Sequence, residues 1–155
     1  MLRDKREGDG ATPAGVHGLV GILWRPDRLA RPAHWAVPIR PRDLWCDAPR
    51  HEDYNLMVRA PFPASAEALR RPDPLYDIVL ITDWNWPRAE HSAGSAIFVH
   101  TWRGPRVPTA GCIGLARRDL LWIVRRLQVH SRLVVPPPPV CGRHAAQGQR
   151  QGGGR

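Results

Sequence analysis

"GSAIFVHTWRGPRVPTAGCIGL", residues 94–115, carries an apolar run ending on a histidine, a connection rich in proline and glycine, and a cysteine in front of a second apolar stretch. Within it, "SAIFVHTW", 95–102, is dominated by β-branched and aromatic residues and predicts a strand. A period of two places Ala96, Phe98 and His100 on one face and Ile97, Val99 and Thr101 on the other. A free thiol titrates near about 8.5, and only its thiolate attacks a carbonyl, so a nucleophilic cysteine needs a base at neutral pH. His100 is the candidate base for Cys112, because a connection of about a dozen residues is long enough to fold back. Gly111 permits a sharp turn, and the main-chain N–H groups of Gly111, Cys112 and Ile113, near the start of a predicted helix, are candidates for an oxyanion hole. The alternative is a small buried hydrophobe at 112 and a surface histidine at 100, and spacing alone leaves both open.

Outward from this stretch, "YDIVLITDW", 76–84, is a second continuous apolar run, the pattern of a strand covered on both faces. "VHGLVGILW", 16–24, reads as a third strand, weakened by Gly18 and Gly21. Prolines from Pro26 to Pro63 exclude long helices and central strands and predict mostly loop. "RRDLLWIVRRLQ" carries Leu120, Ile123, Val124 and Leu127 at i, i+3, i+4 and i+7, an amphipathic helix with arginines on its wet face. Residues 1–15 are charged and turn-rich, an irregular loop. Residues 136–155 are Pro, Gly, Gln and Arg with almost nothing to bury, which predicts a disordered tail that includes Cys141.

At 155 residues the chain suits one domain, spanning 1–135 before the tail, with a real core. The net charge of +9 comes from 23 basic against 14 acidic residues, and Lys5 is its one lysine. The arginines are scattered among Ala, Pro and Gly rather than gathered in a patch, so no nucleic-acid partner is expected. Three cysteines without a CxxC pair argue against a zinc site and a disulfide framework, and no metal or organic cofactor is called for. No apolar run has the roughly 18–20 residues that cross a bilayer, and "MLRDKREGDG" lacks the apolar segment of a signal peptide. Nothing in the sequence sets an oligomeric state.

The run 94–115 resembles the catalytic segment of the L,D-transpeptidases of the YkuD type: a histidine ending an apolar strand, then Ser or Thr, any residue, Gly and a nucleophilic Cys. His100, Thr109, Ala110, Gly111 and Cys112 occupy those positions. "KREGDGATPAG" is similar to the family's threonine-proline turn, and "DLWCDAPRHEDYN" with "PLYDIVLITDWN" resembles a short bacterial branch, so the likeness runs from Lys5 to about Leu127. The resemblance implies a mainly β (α+β) fold, a β-sandwich of mixed sheets with one or two helices packed outside. It makes Cys112 the nucleophile and His100 its base, with Thr109, Gly111 and Ile113 shaping the loop and oxyanion site. His91, near the strand start, and Tyr54 and Asn55, in the resembling segment, are candidates for substrate binding; an exposed loop position is the other reading of His91, and Cys46 reads as structural.

The implied reaction is attack on the third residue of a peptidoglycan tetrapeptide stem, release of the terminal D-alanine through a thioester, and resolution by an amine. Water as acceptor would make an L,D-carboxypeptidase, and a catalytically inactive wall-binding relative is the third reading. The implied location is the periplasm or cell envelope. Family members often carry an arginine two places after the cysteine, where this chain has Gly114; and one or two strands normally precede the threonine-proline segment, where it has only Met1 to Asp4, so a shortened sheet with an open edge is expected.

Overall fold

The two continuous apolar runs become neighbouring strands at the centre of one sheet, as runs buried on both faces must. The computed structural model describes residues 5–137. In chain order the elements are β1 (Gly15–Trp24), β2 (Val37–Pro38), β3 (Asp43–Cys46), β4 (Met57–Arg59), β5 (Ala66–Ala68), β6 (Ile78–Thr82), β7 (Phe98–Thr101), β8 (Ile113–Leu115), α1 (Arg117–Val124) and β9 (Arg132–Val135). The mixed large sheet runs β2-β1-β6-β7-β8, with β9 pairing β1, and a separate three-stranded antiparallel sheet runs β4-β3-β5. Among the described residues the fold is mainly β with mixed sheets and one short helix, in line with the expectation.

Period two sorts the central strands into two cores. Ile22, Ile78, Leu80 and Val99 point to the side where α1 docks through Leu120 and Val124. Leu23, Val79 and Phe98 point to the other side and meet Trp45 of the small sheet. The large sheet is thus covered by a helix on one face and by the small sheet on the other. A buried carboxylate pins the helix: Asp77, just before β6, accepts from Arg28 at 2.8 Å and from Arg117 at 2.5 Å. Burial of a carboxylate is tolerated here because both oxygens are paired.

Four expectations need correction. The proline-rich stretch holds β3, the central strand of the small sheet, because the seven proline-free residues between Pro41 and Pro49 leave room for a short strand paired on both sides. The strand around His100 begins at Phe98 rather than Ser95, since Ala96 has φ +52° and breaks the extended run. The helix stops at Val124, short of Leu127. The edge at β1 is open only in part: β2 pairs Leu23–Trp24 and β9 pairs Gly15–Gly18, while Leu19–Ile22 have no pairing besides β6 among the described residues. Lys5–Ala14 forms no strand or helix, and the predicted tail lies outside the described residues from 138 on, with Cys141. No helix among the described residues is long and apolar enough to cross a membrane.

Leu120, with no exposed surface, is the main anchor of α1. Leu120→Ala is expected to lower the unfolding free energy by about 2–5 kcal/mol in urea titration, the usual cost of a core Leu deletion. A loss below about 1 kcal/mol would mean that the helix does not close this core.

Candidate active site

β7 and β8 run parallel with Val99 opposite Ile113 and His100 opposite Gly114. Val99 and Ile113 pack in the helix-side core, so the residues flanking them, His100 and Cys112, face the small sheet. Both line one cleft of about 340 Å³, with Glu7, Asp47, Glu67, Arg71, Tyr76 and Arg103 also on its walls. Gly114 keeps the position opposite His100 free of side chain, and a Cβ there would come within 3.0 Å of Trp102 Cβ.

The loop before β8 is held from two directions. Gly111 has φ +113°, and a Cβ on it would lie 2.8 Å from the carbonyl oxygen of Ala11, so only glycine lets the N-terminal turn pack on the cysteine loop. The Thr109 hydroxyl donates to the Cys112 carbonyl at 2.6 Å and closes the loop from the other side. β8 intervenes between Cys112 and α1, so the N–H groups of residues 111–113 belong to a loop-to-strand junction and not to a helix start, which corrects the sequence expectation.

The sulfur of Cys112 is half-buried, and its thiol donates to the Ala96 carbonyl at 3.0 Å. Burial pushes the thiol up to about 11, the Phe98 N–H works against that, and the Glu67 carboxylate adds to it. His100 is buried; its Nδ1 lies 2.8 Å from the Thr101 carbonyl, which only accepts, so Nδ1 carries the proton and Nε2 keeps a free lone pair. Burial also lowers the imidazole below its ordinary value. Desolvation therefore favours a neutral thiol and a neutral imidazole in the resting cleft.

Tyr76 braces the histidine edge-on, with ring centroids 5.0 Å apart, and its hydroxyl donates to Glu67 at 2.8 Å. Burial raises the Glu67 carboxyl, which Arg71 approaches at 3.6 Å. Arg71 is paired with Asp73 at 2.7 Å, whereas Arg103 has no ion pair or side-chain hydrogen bond among the described residues. Sequence reasoning missed Glu67, Arg71, Tyr76 and Arg103. Tyr76 stood inside a quoted segment, but only the folded chain brings Glu67 of β5 against it.

The remaining candidates lie elsewhere. His91 is exposed, with Nδ1 2.6 Å from the Pro49 carbonyl, and is not on the cleft wall. Tyr54 and Asn55 are 2% and 3% exposed and sit behind the wall, not on it. Cys46 is fully buried, as a structural thiol should be.

Cys112, at the junction into β8, and His100, on the parallel strand β7, line one cleft of a mainly β domain. The sequence model of the YkuD family, the L,D-transpeptidase catalytic domain, matches residues 3–135. The chain belongs to that family, whose members act on peptidoglycan peptides. No curated protein and no solved structure matches it.

Alkylation of Cys112, followed on its own peptide by mass spectrometry, is expected to outpace that of fully buried Cys46. Its rate should climb about tenfold per pH unit from pH 7 to 10, as for a thiol titrating near 11. A rate already level below roughly pH 9 would mean a preformed thiolate.

Proposed function

We propose that the protein is a cysteine-dependent L,D-transpeptidase that acts on peptidoglycan stem peptides through a thioester acyl-enzyme. One observation carries this reading: His100 on β7 and Cys112 at the junction into β8 face the same cleft, with Nε2 left as the free acceptor on the imidazole.

The steps follow from the residues. Cys112 Sγ attacks the carbonyl carbon of the third stem residue while its proton moves to His100 Nε2. The carbonyl oxygen takes the negative charge, and the N–H groups of residues 111–113 are its proposed donors. The C–N bond then breaks, His100 returns the proton to the departing D-alanine amine, and a thioester remains. An acceptor amine attacks that thioester and gives its proton to His100; collapse reforms the amide and restores the thiol. Water as acceptor would give the free tripeptide, the carboxypeptidase outcome.

The raised thiol and lowered imidazole suit a proton handed over during attack rather than a standing ion pair, since neither charged form is favoured before substrate arrives. Arg103, unpaired at the rim, supplies a counter-charge for the terminal carboxylate of the leaving residue. The family's usual arginine two places after the cysteine has no counterpart in Gly114, and Arg103 brings a cation to the cleft from the connection after β7 instead. The proposed place of action is the cell envelope, where the family's substrate lies.

Incubation with a disaccharide tetrapeptide should yield a covalent adduct at Cys112, lost in Cys112→Ala. In His100→Ala its formation should slow by about 10²–10⁴-fold, the range for removal of a general base. Acylation by the native protein should decline only below about pH 6.5, because the lowered imidazole stays neutral through the ordinary histidine range. An adduct that persists in Cys112→Ala would refute the assignment.

A further inference from the structure

Two buried side chains that the reaction does not use, Tyr54 and Asn55, converge on the segment running into β7. The Tyr54 hydroxyl accepts from Gly94 N–H at 3.1 Å and itself donates to Glu7. Asn55 Oδ1 accepts from Ala96 N–H at 2.9 Å and from Trp45 Nε1 at 2.9 Å. Asn55 Nδ2 donates to the carbonyls of Trp84 at 3.1 Å and Asn85 at 2.7 Å, so its amide is fully used. A surface-grade residue so completely satisfied inside a core is there to hold something in place.

What it holds is strained. Gly94 has φ +95° and Ala96 φ +52°, a left-handed backbone that a residue with a Cβ adopts only where its surroundings enforce it. This conformation turns the Ala96 carbonyl onto Cys112 Sγ, 3.0 Å away. Phe98, two residues on, offers its N–H to the same sulfur and is fixed separately by pairing with Ile81 in β6.

We propose that Tyr54 and Asn55 form a positioning clamp for the nucleophile: they lock residues 94–96 so that the Ala96 carbonyl orients the Cys112 thiol in the cleft. The clamp deepens the proposed transpeptidase reading and rests on it for its catalytic meaning. Its physical effect on the thiol does not. The carbonyl stabilises S–H and repels the thiolate, so it orients the sulfur at some cost in acidity, which His100 offsets during attack.

Releasing the clamp should therefore move two quantities in opposite directions. Asn55→Gly removes the amide yet tolerates the native φ of +60° at that position. In it the midpoint of the Cys112 alkylation profile should fall by roughly one pH unit, the worth of one lost hydrogen bond, while acylation by the disaccharide tetrapeptide slows about tenfold or more. Trp45→Phe removes the other donor to Asn55 Oδ1 and leaves the Ala96 bond, so it should lower the melting temperature without moving the midpoint. A merely structural role would lower both variants' stability and leave both midpoints alone. Should Asn55→Gly not fold, Tyr54→Phe carries the test, with a smaller fall of the midpoint expected. An unchanged midpoint in the folded variant, or an equal fall in Trp45→Phe, overturns the clamp. If the native protein forms no acyl adduct, the transpeptidase reading fails while the alkylation midpoints still decide on the clamp.

Discussion

The parallel pairing of β7 with β8 is the constraint on which the site depends. With Val99 set opposite Ile113, strand alternation sends His100 and Cys112 to the face away from the helix, and a slip of one residue would send one of them into the helix-side core. Several separate features guard that register. Val99 and Ile113 pack with Leu120 and Val124 on one side; Gly111 and Thr109 shape the approach to β8 on the other. Asp77, gripped by Arg28 and Arg117, ties the helix that follows β8 to the strand next to β7. Fold and site are therefore one problem: the packing that stabilises the sheet also aims the thiol.

Desolvation decides the electrostatics. Few charged groups bear on the sulfur, and the largest influence on both Cys112 and His100 is removal from water, which favours the neutral form of each. Glu67 pushes the thiol the same way, while the Phe98 N–H opposes it. Such a cleft keeps the thiol protonated at neutral pH, and under the proposed reaction its activation waits for a bound carbonyl and the imidazole across the cleft.

Much of this was legible in the sequence, for identifiable reasons. Strands buried on both faces write continuous apolar runs, so β6 and β7 stood out, and β1 carried enough branched residues to survive its glycines. The cysteine and histidine were legible as a pair through the resemblance of residues 94–115 to the catalytic segment of the family; their spacing alone left the pairing open. Three-residue strands leave almost no pattern, which is why β4, β5 and β8 were not foreseen, and with β5 went Glu67. Tyr54 and Asn55 were noticed without a role. Their partners, Gly94 and Ala96, are about 40 residues away, and only the fold brings them together.

The central claim is that a neutral imidazole at position 100 takes the proton of Cys112 across the cleft that both line. Nitrogen-15 NMR of histidine-labelled protein tests it most directly, recorded at pH 7 before and after alkylation of Cys112. The predicted result is a neutral His100 ring protonated at Nδ1, whose resonances shift when the sulfur is modified. A ring that is already an imidazolium, or one that does not respond to modification of Cys112, would contradict the account.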